Sequence, residues 1–404
     1  MMILSEFSSI LLYLACFGMC IGLAVLYQRK LENMVLEESA SKKRIVYFWK
    51  RMAIATIIAM PIILLASLRA DSVGVDTKEY SRYFYTYCEQ YPDFFSYFKY
   101  RKEDVLYSLI SVLVYRFTGT VHLLYFIMQF LTIVPIIYVG TKKVKYIHLW
   151  KILSVYCFWF FNDSLNANRQ YAAVGLLFFA CDLYFSNKKM KAIIPFLMSA
   201  GIHFSAIMFG PFLLAMYHML KSKNVKTWKI IMPVIAVALL LFGRYGFQML
   251  YSWGVLPYRY VLYIDTFIRG GGSVESVSWS IINIRTILFC LIRIVITILL
   301  YYTSFKKSIT KNADKDQIDY KYIYFLNTLL YVGGVIILHT SYVIRVTIYL
   351  DFFVIMVLPY LDNCSRIKVG NKKTLYSFWL SLIYWFFHTY FLGESATIPF
   401  EFRE

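Results

Sequence analysis

Four arginines stand at the ends of apolar segments, where a membrane helix seldom carries a charge. Arg69 ends one segment, Arg169 and Arg345 each begin one, and Arg285 lies one turn into another. A guanidinium in such a place is costly unless it reaches water or meets an anion. For any single arginine, reaching water at the interface is the favoured explanation. Several guanidiniums that converge would instead form a planar, bidentate clamp suited to phosphate.

Two further residues are able to accept a proton. Asp76 follows Arg69 by seven residues and Gly74 by two, although Gly and Asp so close together are also typical of a simple turn. His203 lies in the middle of a long apolar stretch, where a lone histidine is more often a packed, hydrogen-bonded residue. A carboxylate or an imidazole within hydrogen-bond reach of a hydroxyl group can take its proton. Both residues are therefore candidates for a general base.

Polar residues also interrupt the apolar runs near the middle of the chain. Asn168, Arg169 and Gln170 follow one another there, and within a membrane such side chains face a cavity or each other. Tyrosines in the predicted outer loops are suited to stacking on sugar rings, although anchoring at the membrane interface explains them equally well. These tyrosines are Tyr80, Tyr83, Tyr258 and Tyr260.

One short motif has the spacing of a metal site. Asp314 and Asp316 flank Lys315 in the arrangement used with nucleotide sugars, but they lie among lysines, where a solvated run of charges is the better explanation. Of the seven cysteines, only Cys88 lies in a predicted outer loop, so the sequence supports no disulfide framework. We expect neither a bound metal nor a cofactor.

The composition identifies the elements that must position these residues. Hydrophobic residues form 60% of the 404 positions and charged residues 16%, against roughly 45–50% and about 25% in soluble domains. The apolar residues fall in blocks long enough to cross a bilayer, which takes about 20 residues of helix. Examples are residues 8–27, 52–68, 121–139 and 375–392. The sequence therefore predicts an all-α integral membrane protein, with residues 1–404 forming a single polytopic membrane domain.

Lysine and arginine predict the orientation, because they accumulate in cytoplasmic loops. The basic clusters lie near residues 29–51, 142–145, 188–191, 221–229, 306–315 and 366–373. Residues 69–104 and 244–280 then form two larger outer loops, with both termini outside and about twelve crossings. These clusters also explain the net charge of +19. A nucleic-acid surface would need one contiguous basic face instead.

Two stretches do not fit single crossings. Residues 105–114 are too short to cross and end near Arg116 and Gly119. Since the adjoining outer and inner loops require an odd number of crossings, we expect a re-entrant or interfacial helix there. Residues 192–219 are too long for one crossing and have basic clusters at both ends. This predicts two short crossings or a broken helix.

The order of these motifs resembles that of the EpsG-like, Wzy-type polysaccharide polymerases, which serve O-antigen, capsule and exopolysaccharide biosynthesis. The resemblance covers most of the chain. It is carried by Arg69…Gly74-Val75-Asp76-Thr77…Tyr80, Glu103, Asn168-Arg169-Gln170, Gly201-Ile202-His203-Phe204-Ser205, Tyr258…Tyr260, Arg345…Tyr349 and Ile398-Pro399-Phe400. The last motif departs from the family, in which Pro-Tyr is frequent where this chain has Pro-Phe.

The resemblance implies a glycosyltransferase of the bacterial cytoplasmic membrane whose active site faces outward. It would join undecaprenyl-pyrophosphate-linked oligosaccharides by inverting transfer of the growing chain to the non-reducing end of a new repeat. Asp76 first, and His203 second, would take the proton of the attacking hydroxyl group. The residues that would bind sugar or pyrophosphate are Arg69, Tyr80, Glu103, Asn168, Arg169, Gln170, Tyr258, Arg259 and Arg345. Expected partners are these lipid-linked oligosaccharides, membrane lipid, a chain-length regulator and a flippase, with no nucleic acid.

Three other functions stay open at this stage. An O-antigen ligase would carry one large outer domain, whereas this chain divides modest loops between two places. A flippase for lipid-linked oligosaccharides also fits about twelve spans, but transporters commonly show internal repeats, which we do not find here. A membrane O-acetyltransferase would need a histidine-centred site open to a cytoplasmic acyl donor, and the basic inner loops offer none.

Overall fold

The computed structural model of the chain describes residues 2–40, 44–101, 104–254, 284–305, 320–338, 343–364, 376–391 and 393–403. In this part of the chain all regular structure is helical apart from one two-stranded ribbon, which confirms the predicted all-α class. Four helices are long and apolar enough to cross a membrane, namely Glu6–Glu38, Ile45–Ser67, Val121–Lys143 and Val225–Phe242. Shorter apolar helices accompany them. The chain is a multi-pass membrane protein, while the count of about twelve crossings stays a prediction.

The elements follow one another in a simple order. The first are β1 (Met2–Ile3), α1 (Glu6–Ala40), α2 (Arg44–Ser67), α3 (Thr77–Gln90), α4 (Phe94–Arg101), α5 (Val105–Thr118), α6 (Val121–Lys143), α7 (Leu149–Val155), the π-helix Tyr156–Phe160, α8 (Phe161–Asn166), α9 (Asn168–Phe185) and α10 (Lys189–Ile202). The later ones are α11 (Ser205–Lys221), α12 (Val225–Ser252), α13 (Ile284–Phe305), α14 (Tyr320–Leu338), α15 (Val343–Asp351), α16 (Val354–Cys364), α17 (Tyr376–Trp385), the π-helix Phe386–Phe391, a 3₁₀ turn (Glu394–Ala396) and β2 (Glu401–Phe402).

The chain divides into two compact units. Unit 1 comprises Met1–Leu214, Leu358–Asn363 and Ile367–Glu404, and unit 2 comprises Ala215–Val357 and Cys364–Arg366. The expectation of a single membrane domain stays a prediction.

Helix α6 forms the centre of unit 1. It is apolar on every side over most of its length, which is typical of a helix buried within a larger protein. It packs against α2 and α9, and its residues from 132 to 141 are all buried. Helix α1 packs against α2, and α10 packs against α9. These contacts make a helical core, and the predicted site residues that the structure describes in unit 1 lie at one end of it.

Side-chain contacts identify the two ends of unit 1. At the Lys142 end, the Arg51 guanidinium of α2 donates to a carbonyl in the last turn of α6 at 2.6 Å, and Lys142 pairs with Asp182 of α9. At the Arg69 end, β1 pairs antiparallel with β2, and Phe402 of β2 bridges to Arg69. The first and last strands of the described chain therefore lie together at the Arg69 end, which is compatible with the predicted even number of crossings.

The first predicted outer loop, residues 69–104, contains two helices. Helix α3 buries Thr77, Ser81, Phe84 and Cys88, and this spacing of three and four residues places them on one face. That face lies against α5 and α6. The mixed polar and aromatic composition of the segment obscures this narrow buried stripe in the sequence.

The second predicted outer loop begins later than expected, because α12 continues through Ser252. Residues 255–283 lie outside the described part of the chain.

Helix α5 begins and ends at the Arg69 end of unit 1. Just before it, Asp104 accepts a hydrogen bond of 2.9 Å from the Phe204 amide, next to the His203 break described below. Just after it, the Val121 amide donates to the Tyr85 hydroxyl group of α3 at 3.2 Å. A helix of 14 residues spans only about 21 Å, which is too short for the bilayer core. This arrangement agrees with the predicted re-entrant or interfacial helix.

The long apolar stretch 192–219 is divided by a break at His203. Helix α10 ends at Ile202, His203 has extended backbone angles (φ −149°, ψ 116°), and α11 begins at Ser205. The predicted interruption of this stretch is therefore present, while the number of times that α10 and α11 cross the membrane stays a prediction. The break leaves the two helix ends side by side at the Arg69 end.

Unit 2 is held together by a buried ion pair. Arg293 of α13 donates two hydrogen bonds to Asp351 of α15, at 2.5 and 2.8 Å. Asn327 of α14 donates to the same carboxylate at 2.8 Å. All three side chains are buried. The contact therefore ties three helices of unit 2 together in their interior.

Candidate functional site

A break in the helix at residues 165–168 is the structural centre of the candidate site. Helix α8 ends at Asn166, Ala167 leaves the helical conformation (φ −96°, ψ 51°), and α9 begins at Asn168. Helix ends leave carbonyl groups without helical partners, and these must be satisfied elsewhere. Here the Leu165 carbonyl accepts hydrogen bonds from Arg69 at 3.1 Å and from the Thr77 hydroxyl group at 3.4 Å. The break therefore anchors the segment that carries Asp76.

The segment that carries Asp76, residues 70–81, is called the Asp76 segment, and it lies directly against this break. Gly74 has a φ of +99°, and a Cβ at this position would come within 3.2 Å of the Asn166 Cα atom. Only glycine allows both the conformation and the close approach. The Asp76 amide then donates to the Asn166 Oδ1 atom at 2.7 Å. Asp76 precedes the first residue of α3, and its carboxylate does not cap that helix.

Arg69 lies beneath the Asp76 segment rather than in the open. It is 1% exposed, and its guanidinium donates to the carbonyl groups of Ala66 and Leu165. The guanidinium also lies over the Tyr125 ring at 3.9 Å. Burial lowers the pKa of this guanidinium, while the neighbouring tyrosines oppose the shift. In this conformation Arg69 holds α2 to the break, and its predicted contact with pyrophosphate stays a prediction.

Arg169 lies in the first turn of α9, where three elements meet. Its guanidinium is 5.2 Å from the ring centre of Tyr80 on α3 and 4.8 Å from that of Tyr107 on α5. Its Nη1 atom is 3.9 Å from a carboxylate oxygen of Asp104. The side chain is 21% exposed. The structure thus brings together Arg169 and Tyr80, two of the residues predicted from the sequence.

Asp104 connects this arginine with the break at His203. One carboxylate oxygen lies near Arg169, and the other accepts the hydrogen bond from the Phe204 amide. The His203 Nδ1 atom is 2.6 Å from the Ser205 hydroxyl oxygen. Gly201 permits the close packing of α10 against α5, because a Cβ at this position would lie 2.8 Å from the Cβ of Leu106 in α5. Asp104 therefore links both predicted functional regions.

Asn168 and Gln170 are buried beside Arg169. Asn168 is 3% exposed, and neither polar atom of its amide has a hydrogen-bond partner among the described residues. A buried amide without partners is costly, so this position suits a ligand or an ordered water. The N-terminus of a helix also attracts anions, because its amide groups and the helix dipole present positive charge. Arg169 and the start of α9 together favour an anionic ligand.

Several predicted residues are not placed by the structure. For Arg345 the structure describes only the backbone, in the first turns of α15 within unit 2, and for Arg285 only the backbone in α13. The predicted convergence of Arg345 with Arg69 and Arg169 stays a prediction. The remaining residues lie outside the described part of the chain: Glu103, Tyr258, Arg259, Tyr260 and the Asp314–Asp316 motif.

Sequence reasoning missed residues that the structure places at the site. Asp104 immediately precedes an apolar helix, which is a typical position for a helix-capping residue. Its place in the sequence therefore does not indicate its contact with Arg169. Asn166 lies two residues before Asn168 in the sequence, where nothing indicates its contact with the Asp76 amide. A second polar group includes Asp163 of α8, whose carboxylate accepts a hydrogen bond from Ser395 and lies 3.8 Å from His388. No sequence signal joins these last residues, since more than 220 positions separate Asp163 from either one.

Comparison with known sequences and structures adds a family to this geometry. Comparison with the curated proteins and with the solved structures found no match to the chain. A sequence model of the EpsG family matches residues 52–402. This match includes α3, α5, α9, the His203 break and β2, and so includes every element that forms the candidate site. The chain belongs to the EpsG family.

Proposed function

We propose that this protein is a polysaccharide polymerase that acts on undecaprenyl-pyrophosphate-linked oligosaccharides. The bond between the anomeric carbon of the growing chain and its lipid pyrophosphate breaks, and a bond to a hydroxyl oxygen of the new repeat forms. The hydroxyl proton passes to a base, and the pyrophosphate leaves with its lipid. Direct displacement inverts the configuration at the anomeric carbon. Membership of the EpsG family supports the class of reaction.

The meeting of Arg169, Tyr80 and Asp104 at the start of α9 is the observation that carries the proposal. A leaving pyrophosphate develops negative charge, and fixed cations aimed at that charge stabilise the transition state. Arg169 combines a planar guanidinium, partial exposure and a helix N-terminus. The Tyr80 ring beside it offers an apolar face to a sugar. Arg345 belongs to the same proposal as a second cation.

Asp76 is the proposed base. It lies one helical turn before Tyr80, and the Tyr80 amide donates to the Asp76 carbonyl at 3.2 Å. Because residues four apart share one helix face, the Asp76 position is on the side of α3 that meets Arg169. His203 is the second candidate, because it lies at the same end of unit 1, next to Phe204, whose amide donates a hydrogen bond to Asp104.

The proposed orientation places this end of unit 1 outside the cytoplasmic membrane. Basic residues mark the cytoplasmic side of membrane proteins. Arg51, Lys142 and Lys143 lie at the opposite end of unit 1. Lipid-linked repeats would therefore reach the site from the outer leaflet. A chain-length regulator and a flippase are proposed partners of the same pathway.

The decisive experiment supplies purified protein in lipid nanodiscs with a synthetic lipid-pyrophosphate repeat. A ladder of lengthening products is the expected result, and the Arg169→Ala variant should lose it. Transfer of the glycan only to a different lipid acceptor would instead identify a ligase. Movement of the substrate across a sealed vesicle without any new glycosidic bond would identify a flippase. Either outcome would remove the polymerase proposal.

A further inference from the structure

The C-terminal segment, residues 396–403, is hydrogen-bonded along the segment that carries Asp76. The Gly74 amide donates to the Ala396 carbonyl at 2.9 Å, and the Ala70 amide donates to the Glu401 carbonyl at 2.8 Å. The Ser72 hydroxyl group donates to the Glu401 carboxylate. Three residues of the Asp76 segment are thus fixed by a part of the chain more than 320 positions away.

Arg403 fixes both sides of Asp76 with one nitrogen atom. Its Nη1 atom donates to the Asp71 carboxylate and, at 2.9 Å, to the Ser81 hydroxyl group. Asp71 lies five residues before Asp76, and Ser81 lies five residues after it. The guanidinium also lies over the Tyr85 ring, 5.0 Å from its centre. The ends of an eleven-residue segment centred on Asp76 are therefore bound to the same side chain.

We propose that Arg403 is a positioning residue for the transfer reaction, acting through the Asp76 segment; this inference rests on the proposed role of Asp76. A general base must lie within hydrogen-bond reach of the proton that it removes. On the side of the helical core, the Asp76 backbone is fixed by Asn166. On the other side, Arg403 and Glu401 hold the same segment. The two sets of contacts together fix the backbone that carries the Asp76 carboxylate.

This role differs from a contribution to overall stability. The side chains of Arg403 and Asp71 are 24% and 35% exposed, and partly exposed ion pairs contribute little to the folded state. Loss of Arg403 should therefore leave the protein folded while it loosens residues 70–81. A misplacement of about 1 Å in a catalytic group can cost about 10²-fold in rate.

The test is a double-mutant cycle on single-turnover transfer at saturating substrates. Arg403→Ala should slow transfer by about 10²-fold, and Arg403→Lys, which keeps a cation beside Asp71, should recover most of it. In an Asp76→Asn background, Arg403→Ala should cause little further loss, because residues that act as one unit are not additive. The matched control is Arg82→Ala, which removes an exposed arginine from an ion pair with Glu79 on the same helix. This control should transfer at the normal rate.

The outcomes separate this inference from the proposed function. Normal transfer by Arg403→Ala, together with a slow Asp76→Asn variant, overturns the positioning role alone. Equal losses from Arg403→Ala in both backgrounds also overturn it, since Arg403 would then act independently of Asp76. Normal transfer by Asp76→Asn overturns the proposed base itself. Amide hydrogen exchange provides the second measurement, and faster exchange confined to residues 70–81 in the Arg403→Ala variant is the expected result.

Discussion

Arg169 in unit 1 and Arg293 in unit 2 are both arginines of a membrane protein, but their surroundings differ. Arg293 is 2% exposed and donates two short hydrogen bonds to Asp351, whose carboxylate also accepts one from Asn327. Arg169 is 21% exposed, and its distance of 3.9 Å to Asp104 exceeds that of a direct hydrogen bond. The first arrangement uses the charge to join helices. The second places a charge at an accessible helix N-terminus, where it suits an anionic substrate.

A structural ion pair and an arginine that binds a ligand need different surroundings in a membrane protein. A buried pair must have good geometry and additional hydrogen bonds, because charges lose their hydration in the interior. A binding arginine must instead keep part of its surface open to the ligand. Arg293 meets the first condition and Arg169 meets the second.

The largest effect is expected from Asp76, the proposed base in unit 1. Asp76→Asn should keep the fold and the bound substrates while slowing transfer by on the order of 10²–10⁴-fold, since loss of a general base has this cost. His203→Ala should cause a smaller loss. Single-turnover transfer at saturating donor and acceptor measures both variants. Near-normal transfer by Asp76→Asn beside an inactive His203→Ala would assign the base to the imidazole.

A large effect of another kind is expected from the buried pair in unit 2. Asp351→Ala should lower stability by about 3–5 kcal/mol, because it leaves the Arg293 guanidinium buried without its partner. The thermal unfolding midpoint of the detergent-purified protein reports this loss. Transfer per folded molecule should stay close to normal. The paired change of Arg293→Met with Asp351→Leu should restore most of the stability, since both charges are then absent.

The same conservative substitution should separate the two arginines. Arg169→Lys should lower transfer by about tenfold, equal to about 1.4 kcal/mol, because an ammonium group does not replace a planar guanidinium. It should leave the unfolding midpoint unchanged. Arg293→Lys should instead lower the unfolding midpoint and leave transfer unchanged. If Arg169→Lys lowered the midpoint and Arg293→Lys lowered transfer, the assignment of the two arginines would have to be exchanged.

The smallest effect is expected from removal of divalent metal. Pyrophosphate is already a good leaving group, and guanidinium groups can neutralise its charge. Dialysis against a chelator should therefore leave the product ladder unchanged. Activity that is lost after chelation and restored by magnesium or manganese would show that transfer requires a divalent cation.

The membrane character, an interruption within residues 192–219 and a short helix at residues 105–114 could be predicted from the sequence alone. These features depend on local properties, namely the length of an apolar run and the residues that interrupt it. The apolar run at residues 105–114 is too short to cross a bilayer, and the helix that contains it in the structure has only 14 residues. The family followed from the order of motifs along the chain, for the same reason.

Only the tertiary structure decided which of these residues meet. It buried Arg69 against the Leu165 carbonyl, placed Asp104 between Arg169 and Phe204, and bound Asp71 to Arg403. These contacts join residues that are 65 to 332 positions apart. These contacts form because of the way the helices pack and the places where they break. The spacing of residues along one helix therefore does not predict which side chain lies beside each guanidinium.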